Sequence, residues 1–557
     1  MTEPSPSPPW SRDLLVLALV FGALLGFRLG SYPLANPDEG RNAEIPREMA
    51  AAADWVTPRL NGVNYFEKPP LVYWAVGGSI AALGPNEWAV RLVPAAFALG
   101  GILLTYAAAR RLHGRGAGLA SAAVLGTSLL YFGLGRFLVL DMAVSVLMSA
   151  TLFCFILGVR EPAGARRRWL FYGLYASAAL ATLTKGLIGF LVTGAVMFLW
   201  LLVFNQWRRL RPLYLPSGAL LFLAIALPWH CLAALHNATW AHRYLVYEHF
   251  ERFSSTAASR PGPWWYFLPI VFFGMFPWMG FLWSGFKNLL RGGWRARREN
   301  ADAWFFATWA GFVLLFFSAS QSKLPPYILP VFPALAVPVG AWLARDTSPL
   351  RLRGGLVAFS AVCGLLAAAL LFTVFRTGSV IRDPAQAAAL RPYGLALAAL
   401  LIAGGLAAPW LARARGGRAA LLGMAGTAAL FFGILTFAAP SIQKPGTKAL
   451  ALIVRERARP GDRVMHYHEF FHDFTFYARR VVDVVAFKGE LELEEDPAAV
   501  RSGRFIDEPA FHAAWDGPGR VFAVARKGDV AKLFADSAFH YHLLSQTEDH
   551  YLFSNKP

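Results

Sequence analysis

Residues 166–209 read RRRWLFYGLYASAALATLTKGLIGFLVTGAVMFLWLLVFNQWRR. Arginines stand at both ends, and the only charge between them is Lys185. A helix that crosses a bilayer needs about 20 apolar residues, so the stretch holds two crossings. Lys and Arg gather in short cytoplasmic loops, which puts Arg168 and Arg208 on one side. The chain therefore reverses near Thr184-Lys185-Gly186, and that turn faces outward. One stretch thus predicts a polytopic helical membrane protein and places a lysine at an outward turn.

The rest of the chain repeats the pattern. Of its 557 residues, 56% are hydrophobic and 16% charged, with a mean hydropathy of +0.42. Soluble domains carry roughly 25% charged residues. Apolar runs predict spans near 12–30, 88–109, 117–135, 138–159, 169–184, 186–206, 213–232, 264–286, 302–318, 326–344, 354–375, 391–412 and 419–439, about 13 in all. The first, which includes Leu14 to Leu29, lacks a clear cleavage site and reads as an uncleaved span. Basic clusters such as Arg110, Arg111 and Arg115, or Arg413, Arg415 and Arg418, fall in alternate loops of this layout. The expected N-terminus is cytoplasmic and the C-terminal region outside. Parity places another outward reversal near Gly135 to Asp141. The net charge of +19 is thus topological, and no nucleic-acid-binding module is present. Cys154, Cys231 and Cys363 lie in apolar runs and read as buried hydrophobes.

Two domains are expected: a membrane domain over 1–440, with outward loops near 31–87 and 233–263, and a small soluble α/β domain over 441–557. Asn36-Pro37-Asp38-Glu39 reads as a helix start with Asn36 as N-cap, running to about Ala53. A second short helix follows Pro70. In the C-terminal region, Arg463 to Tyr467, Arg480 to Val485, Gly519 to Val524, Tyr541 to Leu544 and Tyr551 to Phe553 read as strands, and Phe470 to Ala478 as a helix. His466, His468 and His472 read as a solvated surface cluster rather than a metal set. There is no ATP-binding P-loop, so energy must come from an activated substrate or a gradient.

Charges beside spans are costly and mark pathways or sites. They collect on the outward face: Asp38, Glu39 and Arg41 on the first helix; Glu67 and Lys68 before Pro69; Asp141 and Lys185 at the two turns; His249 and Arg252; Lys323 and Tyr327. Arg47, Glu48 and Arg243 read as ordinary interfacial charges. Lys68, Lys185, Arg252 and Lys323 together suit an anion at the lipid boundary, such as a phospholipid or polyprenyl phosphate. The carboxylates suit a sugar. Glu67 with His249 is a candidate pair for a divalent cation, which needs further ligands.

The segments Asp38-Glu39-Gly40-Arg41, Tyr65-Phe66-Glu67-Lys68-Pro69-Pro70, Leu140-Asp141-Met142, Leu183-Thr184-Lys185-Gly186, Glu248-His249-Phe250 with Arg252, and Ser322-Lys323-Leu324-Pro325 with Tyr327 stand in this order. The series resembles the bacterial aminoarabinose lipid A transferases, GT-C membrane glycosyltransferases related to protein O-mannosyltransferases. The resemblance implies a 13-span GT-C architecture, a soluble C-terminal domain, and sugar transfer from a polyprenyl phosphate carrier to an acceptor. It implies that Asp38 and Asp141 are the functional carboxylates and that Lys68, Arg252 and Tyr327 hold the donor phosphate; Lys185 and Lys323 join that set by their charge. It implies that Glu39, Arg41, Asn42 and Tyr65 line the substrate and that Glu67 and His249 are the metal candidates. Asn42 stands where a Tyr is expected in aminoarabinose transferases.

The expected reaction is inverting transfer at the outer leaflet of a bacterial inner membrane, to lipid A, another glycan or a protein. A phosphate acceptor needs no base; a hydroxyl acceptor needs Asp38 or Asp141. The competing class is a polyprenyl-lipid flippase. Transporters place sites near the midplane and often carry repeated halves. Here the charges collect at one face and no repeat occurs.

Overall fold

The computed structural model describes residues 9–237, 239–244, 260–376, 383–443, 446–487, 489, 491 and 496–557. The chain forms two compact units. One, helical, comprises Met1–Leu29, Pro94–Pro228 and Glu248–Ile442. The other, mixed, comprises Gly30–Val93, Trp229–Tyr247 and Gln443–Pro557.

Every predicted apolar segment carries helix. Among the described residues, seven helices are long and apolar enough to cross a membrane, or eight if one bent pair counts as a span. The bent pair, Phe267–Gly274 with Met279–Leu289, turns through 104°. Pro277 sits in the break; it has no N–H to donate and disfavours helix at the residue before it. Other predicted spans are shorter, such as Ile188–Phe204 with 17 residues, divided, or less apolar, such as Ala165–Lys185 with 21 residues and charged ends. Small residues permit close packing between helices. A Cβ at Gly340 would lie 2.2 Å from the Ser121 hydroxyl, so the Val331–Arg345 and Arg115–Gly126 helices meet nearly backbone to backbone. Cys231, expected to be buried, is exposed on Leu215–His236. Leu220, Leu223, Leu227 and Leu235 of the same helix are exposed too, an apolar surface suited to lipid.

The two ends of the helical unit carry different charges. Arg110 and Arg115 meet the Asp13 carboxylate at 2.9 and 2.7 Å, and Arg160 and Arg209 converge on Asp302. Arg160 follows the C-terminus of the Leu140–Gly158 helix. Asp141, at that helix's N-terminus, pairs with Lys185 instead. The parity read from the arginines therefore reappears as two groups at opposite ends of one helix.

The mixed unit is built on a six-stranded sheet. Two short strands, β1 (Arg59–Leu60) and β2 (Val63–Asn64), form a separate hairpin. The sheet strands are β3 (Arg463–Tyr467), β4 (Asp483–Val485), β5 (Phe505–Ile506), β6 (Val521–Arg526), β7 (His542–Gln546) and β8 (His550–Ser554), ordered β5-β4-β3-β6-β8-β7. β5 through β6 run parallel, and β8 is antiparallel to both β6 and β7. Met465, Phe511, Trp515, Ala523 and Phe553 form its core.

The first loop folds into this unit. The Asp38–Ala51 helix lies against His472–Ala478 so closely that a Cβ at Gly40 would sit 2.6 Å from the Asp473 nitrogen. Asn61 exchanges hydrogen bonds of 3.0 and 2.8 Å with the Val482 backbone. Glu48, read as an ordinary interfacial charge, is buried and accepts the Asn61 and Gly62 N–H groups. Asn36 is not the N-cap. Pro37 holds that position, and the Asn36 amide binds Asp473 instead.

His466 corrects the surface-cluster reading. It is fully buried among Phe470, Phe471 and Phe474, and its Nδ1 accepts the Phe471 N–H at 3.2 Å. Burial, aided by nearby His472 and His550, pushes its pKa down to about 3. His472 is also buried, whereas His468 is partly exposed and pairs with Glu508.

Candidate functional site

In the helical unit three expected residues from distant segments converge. Asp141 lies in the first turn of its helix and Lys185 is the last residue of Ala165–Lys185. Gly186, at φ +75°, ends that helix in a conformation glycine adopts without a Cβ penalty. The Lys185 Nζ reaches the Asp141 Oδ1 at 2.5 Å, with side chains 16% and 13% exposed. The charges suit the helix ends they occupy, acid at the N-terminus and base at the C-terminus. Tyr327, in the 3-10 turn Pro325–Ile328, places its ring centroid 4.5 Å from the Lys185 Nζ and packs on Phe317. Lys323 is buried; its Nζ donates to the Ser320 carbonyl at 2.6 Å and its N–H to that of Arg260.

In the mixed unit Asp38 is 45% exposed and pairs with Arg41, one turn on, at 2.7 Å. Glu39, expected to line the substrate, is fully buried instead. Its two oxygens accept from Arg91 at 2.8 and 2.6 Å, and Oε2 also accepts the Ala35 N–H. Arg91 donates further to the Tyr32 and Pro33 carbonyls and stacks on the Tyr32 ring. This arginine was absorbed into a predicted span. Its signal was a lone cation near the outward end of an apolar run.

Asn42 and Tyr65 are buried. Glu44 and Arg47, one turn apart, form a two-point pair at 2.6 Å, although Arg47 reads from sequence as a surface charge. Burial raises the Glu44 pKa to about 8, against the pull of Arg47. The Lys68 Nζ donates to the Glu67 carbonyl at 2.8 Å and lies 3.8 Å from its carboxylate. His249 and Arg252 lie outside the described residues. Among the described residues no three His, Cys, Asp or Glu side chains stand together as a metal set, and Glu67 already faces an ammonium.

Residues 67–231 match the sequence family described as dolichyl-phosphate-mannose-protein mannosyltransferase. The undecaprenyl phosphate-alpha-4-amino-4-deoxy-L-arabinose arabinosyl transferase 2 of Sodalis glossinidius is 32% identical over 64% of each chain. The corresponding arabinosyl transferase of Pectobacterium atrosepticum is 34% identical, again over 64% of each. The chain thus spans somewhat under two thirds of the length of these relatives. The crystal structure of ArnT from Cupriavidus metallidurans bound to undecaprenyl phosphate covers 98% of both chains, with a TM-score of 0.87 and 28% identity. The match extends over the helices and the C-terminal sheet alike, so the chain shares the GT-C membrane fold of ArnT.

Proposed function

We propose that the protein is a glycosyltransferase that moves a sugar from an undecaprenyl phosphate carrier to an envelope acceptor such as lipid A, at the outer leaflet of a bacterial inner membrane. The convergence of Asp141, Lys185 and Tyr327 carries this reading. The acceptor oxygen bonds to the anomeric carbon, with inversion, as the bond from that carbon to the carrier phosphate breaks, and negative charge grows on the departing phosphate. Lys185 offers a cation for that charge, held in place by Asp141; such stabilisation is worth about 2.7–4 kcal/mol where one donor is removed. Lys323 and Tyr327, from the same unit, are assigned to that phosphate too, and Lys68 and Arg252 keep the phosphate-binding role that the resemblance implies. An acceptor phosphate attacks as an anion and needs no base. For a hydroxyl acceptor, Asp38 or Asp141 takes the proton. No step is routed through a metal.

The relatives' names supply the aminoarabinose donor as the first candidate, and Asn42, where a Tyr is expected in aminoarabinose transferases, bears on the identity of the sugar. Mass spectrometry of envelope lipids and glycans from cells with and without the protein identifies the product. Lys68→Ala and Asp38→Asn, assayed for transfer, test the assignments; full activity in both overturns them.

A further inference from the structure

β3 and β6 lie side by side and parallel, yet the chain leaves them in opposite directions. From β3 it proceeds to β4 and β5; from β6 it proceeds to β7 and β8 on the far side. In an open α/β sheet such a reversal opens a crevice beyond the carboxyl ends of the two strands, where ligands bind. A cavity of about 810 Å³ lies at this point. Its walls are the residues that follow β3 (Glu469 to His472), those that end and follow β6 (Arg526 to Asp529), the approach to β8 (Glu548 to His550), and Leu34 to Pro37. All belong to the mixed unit.

The lining has a definite chemistry. Glu469, Asp529, Glu548 and Asp549 outnumber Arg526 and Lys527, and Arg526 is already paired with Glu469. That balance repels a phosphate. Carboxylates accept hydrogen bonds from hydroxyl and ammonium groups. Phe470, Phe471 and Phe487 supply apolar wall, the usual complement to a few polar groups in a small-molecule site. We propose that this crevice is a saccharide-binding subsite that takes a polyhydroxylated ring, uncharged or bearing an amino group. The inference rests on the sheet and its cavity and is independent of the transferase reading.

Glucosamine and glucose, titrated onto the full detergent-solubilised chain and followed by saturation-transfer NMR, test it, with inorganic phosphate added as competitor. Both sugars bind saturably and phosphate does not displace them. Asp529→Asn and Asp549→Asn, each with an unchanged melting temperature, weaken glucosamine about tenfold, as loss of a hydrogen bond to a charged group does. Lys185→Ala binds it as the parent does. Absence of saturable sugar binding, displacement of the sugars by phosphate, or equal sugar affinity in parent and both Asn variants overturns the proposal.

Discussion

The Glu39–Arg91 and Lys185–Asp141 pairs join opposite charges across long stretches of sequence, but their surroundings differ. Glu39 and Arg91 are fully buried. The guanidinium fork holds both carboxylate oxygens and two backbone carbonyls, with an aromatic ring against its face. That pair is an anchor, closed to any ligand. Lys185 and Asp141 remain reachable by solvent and join a compact ammonium to one carboxylate oxygen. An ammonium has three donors and suits a ligand oxygen as a point charge. Burial, rather than charge, separates an anchor from a site.

The contrast is broken most severely at Arg91. Arg91→Ala leaves the Glu39 carboxylate buried without its partner and lowers stability by about 3–5 kcal/mol. Thermal unfolding in detergent reads this; a parent-like melt refutes the anchor. Lys185→Ala acts on activity instead. Transfer falls by about 10²–10³ while the melting temperature shifts far less than with Arg91→Ala.

His466 gives a smaller effect with a definite sign. Its folded pKa of about 3 lies below the unfolded value of 6.5, so the unfolded chain binds more protons between them. Its contribution is complete above pH 6.5 and is lost as pH falls, by about 2 kcal/mol from pH 6.5 to 5. Glu44, with its pKa raised to about 8, acts in the opposite direction over the same window, so the check is a difference: in denaturation series at the two pH values, His466→Phe gains about 2 kcal/mol on the parent between pH 6.5 and pH 5. Least affected is Asp38→Asn, which removes an exposed pair with Arg41 and costs at most about 0.5 kcal/mol of stability.

Much of this was legible in sequence. Counting crossings between arginine clusters puts Lys185 and Asp141 on the same side, away from those clusters, where the structure pairs them, because bilayer thickness and charge asymmetry act on any spanning helix. The strands of the C-terminal sheet follow from local alternation. The roles of Glu39 and His466 were not legible. A charged or polar residue in a local pattern reads as exposed, and only tertiary packing supplied Arg91 for one and three phenylalanines for the other. The folding of the first loop with the C-terminal segment was hidden for the same reason. Asn61 and Val482 have no signal linking them along the chain.

The most direct test is the rate of transfer from undecaprenyl-phosphate-linked aminoarabinose to lipid A by the full chain and by Lys185→Ala, read by mass spectrometry. The account predicts mass-shifted lipid A from the parent and loss of that product in the variant at a near-parental melting temperature. An undiminished rate in Lys185→Ala, or counterflow of labelled carrier lipid with no product from the parent, contradicts it.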